Sequence, residues 1–246
     1  MLKQIKQKLK ANIVKKVIKK IFNFYNKMET IYPEPLNIKK TEKILVLAPH
    51  PDDESIGCGG LLLKYASQCN VICLTDGRYG DLNIEPSKMI EIRQKEFESV
   101  MRKLAINNFA LLRIEDSKLE FNYDTFKQIN FNKYNYIFIP NNLDQHPDHK
   151  AVAKHIKKAY IENKIKDNVK IVMYEVWGTL PLPNRYVDLS DIINKKKEII
   201  NMYHSQVKHI DYANKITALN EYRGISVNKN SIETYFEIKM KDFYEL

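Results

Sequence analysis

The chain has 246 residues, 44% of them hydrophobic and 28% charged, which suits one large α/β domain or two small ones and excludes a disordered or fibrous protein. No run approaches the roughly 18 apolar residues of a membrane span, and lysines break the N-terminus too often for a signal peptide. The net charge of +10 sits largely in residues 1–28, which hold nine lysines and no acid; the near-neutral remainder offers no groove for specific nucleic acid binding.

In residues 2–28, Leu2, Ile5, Leu9, Ile13, Val17, Ile21 and Phe24 recur every three or four positions and predict an amphipathic helix with a lysine-rich face. Such a helix either lies on an anionic membrane surface or docks on the domain or a partner. The predicted organisation is a basic helix over 1–30, an extended proline-containing linker over 31–41, and one domain over 42–246.

From Lys43 onward strands and helices alternate. Strands are expected at 43–47, 70–75, 109–114, 136–140, 170–176, 185–189 and 234–239. Helices are expected at 57–67, 86–104, 151–164, 191–203 and 213–222. This alternation predicts a Rossmann-like, three-layer α/β/α fold with a mostly parallel sheet. Cys58, Cys69 and Cys73 match no zinc or disulfide framework and point to a reducing compartment, with Cys58 as a small packing residue.

Two polar clusters follow predicted strands. His50-Pro-Asp52-Asp53-Glu54 comes after the first strand, and His146-Pro-Asp148-His149 after the fourth. In open parallel sheets the carboxyl ends of strands form the ligand edge. Each cluster alone is also what a solvated loop or a helix cap looks like, with Asp53, Glu54 or Ser55 capping one helix and Asp148 the next. Together at one edge they assemble the parts of a metal-assisted hydrolase. His50 and Asp53 supply two ligands, and His149 or His146 a third. Asp52 or Glu54 is available as the general base. The spare imidazole is free to stabilise an oxyanion. Trp177, at a strand end on the same edge, is a candidate rim residue.

The paired motif, with Thr75-Asp-Gly77, Gly80, Arg93 with Glu96, and His204-Ser205-Gln206, resembles the PIG-L/LmbE-like zinc-dependent deacetylases over about residues 42–225. Pro49 stands where that family usually has alanine. The resemblance implies removal of an acetyl group from N-acetylglucosamine on a larger molecule. It implies zinc held by His50, Asp53 and His149, Asp52 as the general base, and His146 as the oxyanion stabiliser. It further implies that Asp148 holds an imidazole tautomer, that Arg78 contacts a sugar hydroxyl or phosphate, and that Arg93 and Glu96 form an ion pair shaping the site, where an exposed i,i+3 pair is the alternative. Glu54, left without an outer role, is expected as a buried support for the turn or a ligand. The expected substrate is a glycan, a lipid-linked sugar, a nucleotide-linked sugar or a small thiol-conjugated sugar, and the basic N-terminus favours a lipid-linked or membrane-proximal one. The expected location is cytoplasmic, peripheral at the inner face of the membrane. The competing reading is a membrane-associated sugar-binding protein of the same fold without catalysis.

Overall fold

The computed structural model describes residues 32–246, together with Lys15, Lys16, Lys19 and Lys20, which are helical and exposed. The remainder of the predicted helix over 2–28 lies outside the described residues. Among the described residues no helix is long and apolar enough to cross a membrane.

Eight strands form one sheet: β1 (Glu34–Pro35), β2 (Ile44–Ala48), β3 (Cys69–Thr75), β4 (Phe109–Ile114), β5 (Tyr136–Pro140), β6 (Lys170–Tyr174), β7 (Arg185–Asp188) and β8 (Ile232–Lys239). Their order is β1-β7-β8-β6-β5-β2-β3-β4. Only β8 runs antiparallel, to both β6 and β7. The larger helices are α1 (Asp53–Tyr65), α2 (Pro86–Lys103), α4 (Pro147–Ile161), α5 (Ile193–Asn201) and α7 (Tyr212–Gly224). Short helices are α3 (Tyr123–Phe126), α6 (His204–Val207) and α8 (Met240–Glu245).

Strand pleating divides the apolar residues between two cores. On β2, Ile44 and Val46 enter the core formed with α1, α2 and α5, while Leu45 and Leu47 enter the core formed with α4 and α8. The sheet is thus covered on both faces, giving the predicted three layers and the continuous apolar runs of its central strands. The order reverses at β2, which pairs with β3 on one side and β5 on the other. The crevice beyond the carboxyl ends of β2 and β5 is therefore the topological switch point, where such sheets bind ligands. Both polar clusters emerge there.

Several boundaries differ from expectation. Helix α1 starts at Asp53, not residue 57, and α4 starts at Pro147, not residue 151. Asp53 and His149 thus occupy first helical turns, rigid mounts for their side chains. Neither Asp53, Glu54 nor Ser55 is the N-cap of α1: that position is Asp52, whose side chain makes no cap bond. The cap of α4 is His146, not Asp148; its Nδ1 accepts from the Asp148 N–H. Strand β6 stops at Tyr174, which places Trp177 in a loop. The stretch predicted as a linker contributes β1, which pairs in parallel with β7, and buries Leu36 and Ile38.

Candidate active site

The chain turns sharply between β2 and α1. Asp52 has φ 123°, a strained value for a residue with a Cβ and one that structures tolerate mainly at functional sites. The turn is held from below by Glu54, fully buried, whose carboxylate accepts from Tyr203 Oη at 2.5 Å, Ser55 Oγ at 2.7 Å and the Asp52 amide at 3.1 Å. Glu54 therefore faces Tyr203 and the turn, away from the imidazoles, and burial pushes its pKa up to about 7.

Asp53 Oδ2 lies 3.2 Å from His50 Nδ1 and 3.2 Å from His149 Nε2. The sheet thus brings three donors together from two loops. His146 stands beside them, its ring 4.6 Å from that of His50 and 4.9 Å from that of His149. Nitrogens of His50, His146 and His149 fall within 4.8 Å of one another.

The outer nitrogens of both buried imidazoles face carboxylates. His50 Nε2 lies 3.2 Å from Asp148 Oδ2 and 3.2 Å from Asp116 Oδ1. His149 Nδ1 lies 3.0 Å from Asp144 Oδ2. Asp148 is itself fixed by the amides of Ser117 and Leu119, and Asp144 by those of His146, Trp177 and Gly178. A carboxylate thus stands behind each imidazole, the arrangement that at metal centres orients the ring and leaves the inner nitrogen's lone pair free.

This donor set fits a divalent metal. Two nitrogens and a carboxylate oxygen match the ligand chemistry of zinc, and neighbouring ligands about 3.3 Å apart are what bonds of about 2.1 Å to one tetrahedral ion produce. His149 is completely buried, yet neither ring nitrogen completes a hydrogen bond of good geometry, although both lie within ion-pair distance of carboxylates. The field points the same way. Burial disfavours charge on His149, but Asp53 and Asp144 outweigh it and raise its pKa to about 9. Burial likewise favours a protonated Asp53, yet the two imidazoles hold its carboxyl far below the usual range. The centre of the cluster favours positive charge.

Asp52 sits beside this centre and is 7% exposed. Burial pushes its pKa up to about 6 against the pull of Arg93. Arg93 Nη1 lies 3.3 Å from Asp52 Oδ2. The expected Arg93–Glu96 pair is corrected here: Glu96 turns the other way and accepts from the Ser205 amide and hydroxyl, both at 2.7 Å. Arg93 is buried on the inner face of α2, while Glu96 faces α6. Arg78 folds back onto Asp76, 2.6 Å away, and reaches toward Glu115, leaving its guanidinium partly exposed at the same edge. Trp177 is 48% exposed at the rim.

Residues 45–160 match the family model described as PIG-L, GlcNAc-PI de-N-acetylase. The chain is thus similar to that family over a little under half of its length. Among curated relatives, the probable N-acetyl-alpha-D-glucosaminyl L-malate deacetylase 2 of Bacillus subtilis (strain 168) is 29% identical over 147 residues, which span 53% of this chain and 66% of that protein. The protein of the same name from Bacillus anthracis is 26% identical over 206 residues, 74% of this chain and 87% of the relative. The N,N'-diacetylchitobiose deacetylase from Pyrococcus horikoshii shares the fold, with a TM-score of 0.70 at 22% identity over 81% of this chain and 84% of that one. The PIG-L match ends in α4, so it contains both histidine clusters and the strands that carry them.

Sequence reasoning missed three of the residues that shape this site. Asp116 and Asp144 lie in loops whose acids carry no distinguishing local pattern. Tyr203 lies 149 positions from Glu54. Asp144, five positions before His149, was the one within reach of a spacing argument.

Proposed function

We propose that the chain is a zinc-dependent N-deacetylase acting on an N-acetylated amino sugar of N-acetylglucosamine type carried by a larger glycan, lipid-linked or nucleotide-linked acceptor. The observation that supports this most is the convergence of His50, Asp53 and His149 at one point with Asp52 beside it. His50, Asp53 and His149 would hold the metal. Bound there, zinc supplies Lewis acidity that polarises the acetamide carbonyl and eases deprotonation of water.

The chain's own groups supply the rest. Asp52 accepts the proton of the attacking water as the carbon–oxygen bond forms. Arg93 holds Asp52 in place and favours its ionised form. His146 is half-buried, and burial together with His50 and His149 lowers its pKa, so its ring is neutral. Its Nδ1 accepts from the Asp148 amide at 3.3 Å, which puts the ring proton on Nε2. That N–H is the donor for the carbonyl oxygen as it gains charge. When the carbon–nitrogen bond breaks, the departing amine takes a proton from the Asp52–His146 side, and acetate remains.

Metal analysis combined with acetate release across a panel of N-acetyl sugars tests the proposal. Protein that binds no divalent metal and releases no acetate from any of them would sink it. The proposal extends to residues 1–28 as the segment that brings the domain to an anionic membrane surface, supported by their lysine-rich amphipathic pattern. Deleting them should abolish cosedimentation with phosphatidylserine vesicles, and unchanged binding would refute that role.

A further inference from the structure

Resting on the deacetylase reading, we propose that Trp177 and Tyr212 form an aromatic wall that stacks on a second sugar ring next to the N-acetylated one. The favoured substrate is then a disaccharide or longer glycan.

The two rings are in contact, with centroids 5.2 Å apart and planes inclined by 49°. One end of the wall is tied to the residues around His149. The Trp177 amide donates to Asp144 Oδ2 at 3.0 Å, and the same oxygen faces His149 Nδ1 at 3.0 Å. The next residue, Gly178, also donates to Asp144, and a Cβ there would sit 2.9 Å from the Asp144 Cα. Only glycine lets this loop approach so closely, so the indole is mounted directly on the metal-site scaffold. The other ring, Tyr212, is the first residue of α7 and is half-buried. Burial raises its pKa first, and the negative charge of Asp52 adds to that.

Trp177 keeps 48% of its surface exposed, although every other group tied to Asp144 is buried or half-buried. An exposed indole on a rigid loop at a polar mouth has little to do for folding. The surroundings choose its partner. Three residues before Tyr212, His209 Nε2 lies 3.0 Å from Asp81 Oδ2, and Lys208 Nζ lies 2.7 Å from the same carboxylate. The exposed side chains of Lys208 and His209 thus stand in the turn that leads into Tyr212, both paired to the buried Asp81. A pyranose has an apolar C–H face for the rings and a polar edge for such a turn. An acyl chain packed there would have to cover the Lys208 ammonium and the His209 imidazole, at a desolvation cost.

Trp177 is the chain's only tryptophan, so its emission reports on the wall directly. Zinc-loaded Asp52→Asn protein is titrated with N-acetylglucosamine, N,N'-diacetylchitobiose and octyl N-acetylglucosaminide. The expected result is a blue shift and intensity change with the disaccharide and little change with the monosaccharide. In the otherwise native enzyme, Trp177→Ala should raise KM for the disaccharide about tenfold with kcat little changed, and Trp177→Phe should recover most of the loss. Equal spectra with both sugars, an unmoved KM, or an octyl glycoside that binds as well as the disaccharide would each overturn the inference. Acetate release without any emission change removes the wall and leaves the deacetylase. An emission change without acetate from any sugar does the reverse, and neither signal overturns both.

Discussion

Arg93 and Asp52 stand 41 positions apart in the chain and 3.3 Å apart in the fold, both almost wholly buried. Burial in a strained turn works against an ionised Asp52, so the carboxylate needs a fixed counter-charge, and α2 delivers it. Asp52→Ala should retain bound metal and lose about 10²- to 10⁴-fold in turnover, the usual contribution of a positioned base. Metal content and initial rates check this. Near-normal turnover would exclude Asp52 as the base.

Arg93→Met removes the counter-charge and leaves Asp52 buried and unpaired. Breaking such a pair costs about 3–5 kcal/mol of stability. Urea denaturation should show the loss as a lower midpoint, with a parallel drop in kcat. A variant as stable as the native protein would mean that solvent, not Arg93, compensates Asp52.

Asp144→Asn keeps the shape beside His149 but removes the carboxylate that faces its outer nitrogen at 3.0 Å. Loss of such an outer partner typically weakens metal binding 10- to 100-fold. Competition with a chelator measures it. Asp148→Asn should act similarly through His50, and an unchanged affinity in both variants would contradict the assigned ligands.

Gly57→Ala tests the seat of α1. The added Cβ would stand 2.1 Å from the Tyr174 ring and 3.0 Å from the Glu175 carbonyl oxygen. The ring has no easy retreat, since Tyr174 Oη donates to the Leu47 carbonyl at 2.7 Å. Overpacking of this kind costs about 1–3 kcal/mol. Because Asp53 rides on the first turn of α1, metal affinity should fall together with Tm.

Lys196→Ala should destabilise without touching the metal. Lys196 is fully buried, with Nζ 2.6 Å from Glu233 Oε2 and 3.0 Å from Asn220 Oδ1. Glu233 also accepts from the amides of Gly60 and Leu61, fastening β8 to α1. Removing the lysine strands that carboxylate, at a cost of about 3–5 kcal/mol. Thermal melting and metal stoichiometry together check the split between stability and site.

The alternating strands and helices were legible because apolar periodicity is local, and the strands expected at 109–114 and 136–140 match β4 and β5. Helix starts were less so. Polar clusters read as loops, yet Asp53 and His149 lie inside first turns, because a helix needs no apolar residue until it meets the core. The short helix α8 escaped notice for want of length, although Met240 and Phe243 close the second core.

By itself the sequence determined the layers of the fold and the two motifs that meet at its carboxyl edge. His50 and Asp53 are neighbours through a turn of three residues, and their proximity is a local property. The tertiary structure alone decided which carboxylates stand behind the imidazoles, that Arg93 serves Asp52 and not Glu96, and that Tyr203 holds Glu54. Apart from Asp144, five positions from His149, those pairings depend on strand order and on the reversal at β2, which bring together residues separated by 41 to 149 positions. No local pattern encodes a contact whose distance is set by how the whole sheet closes.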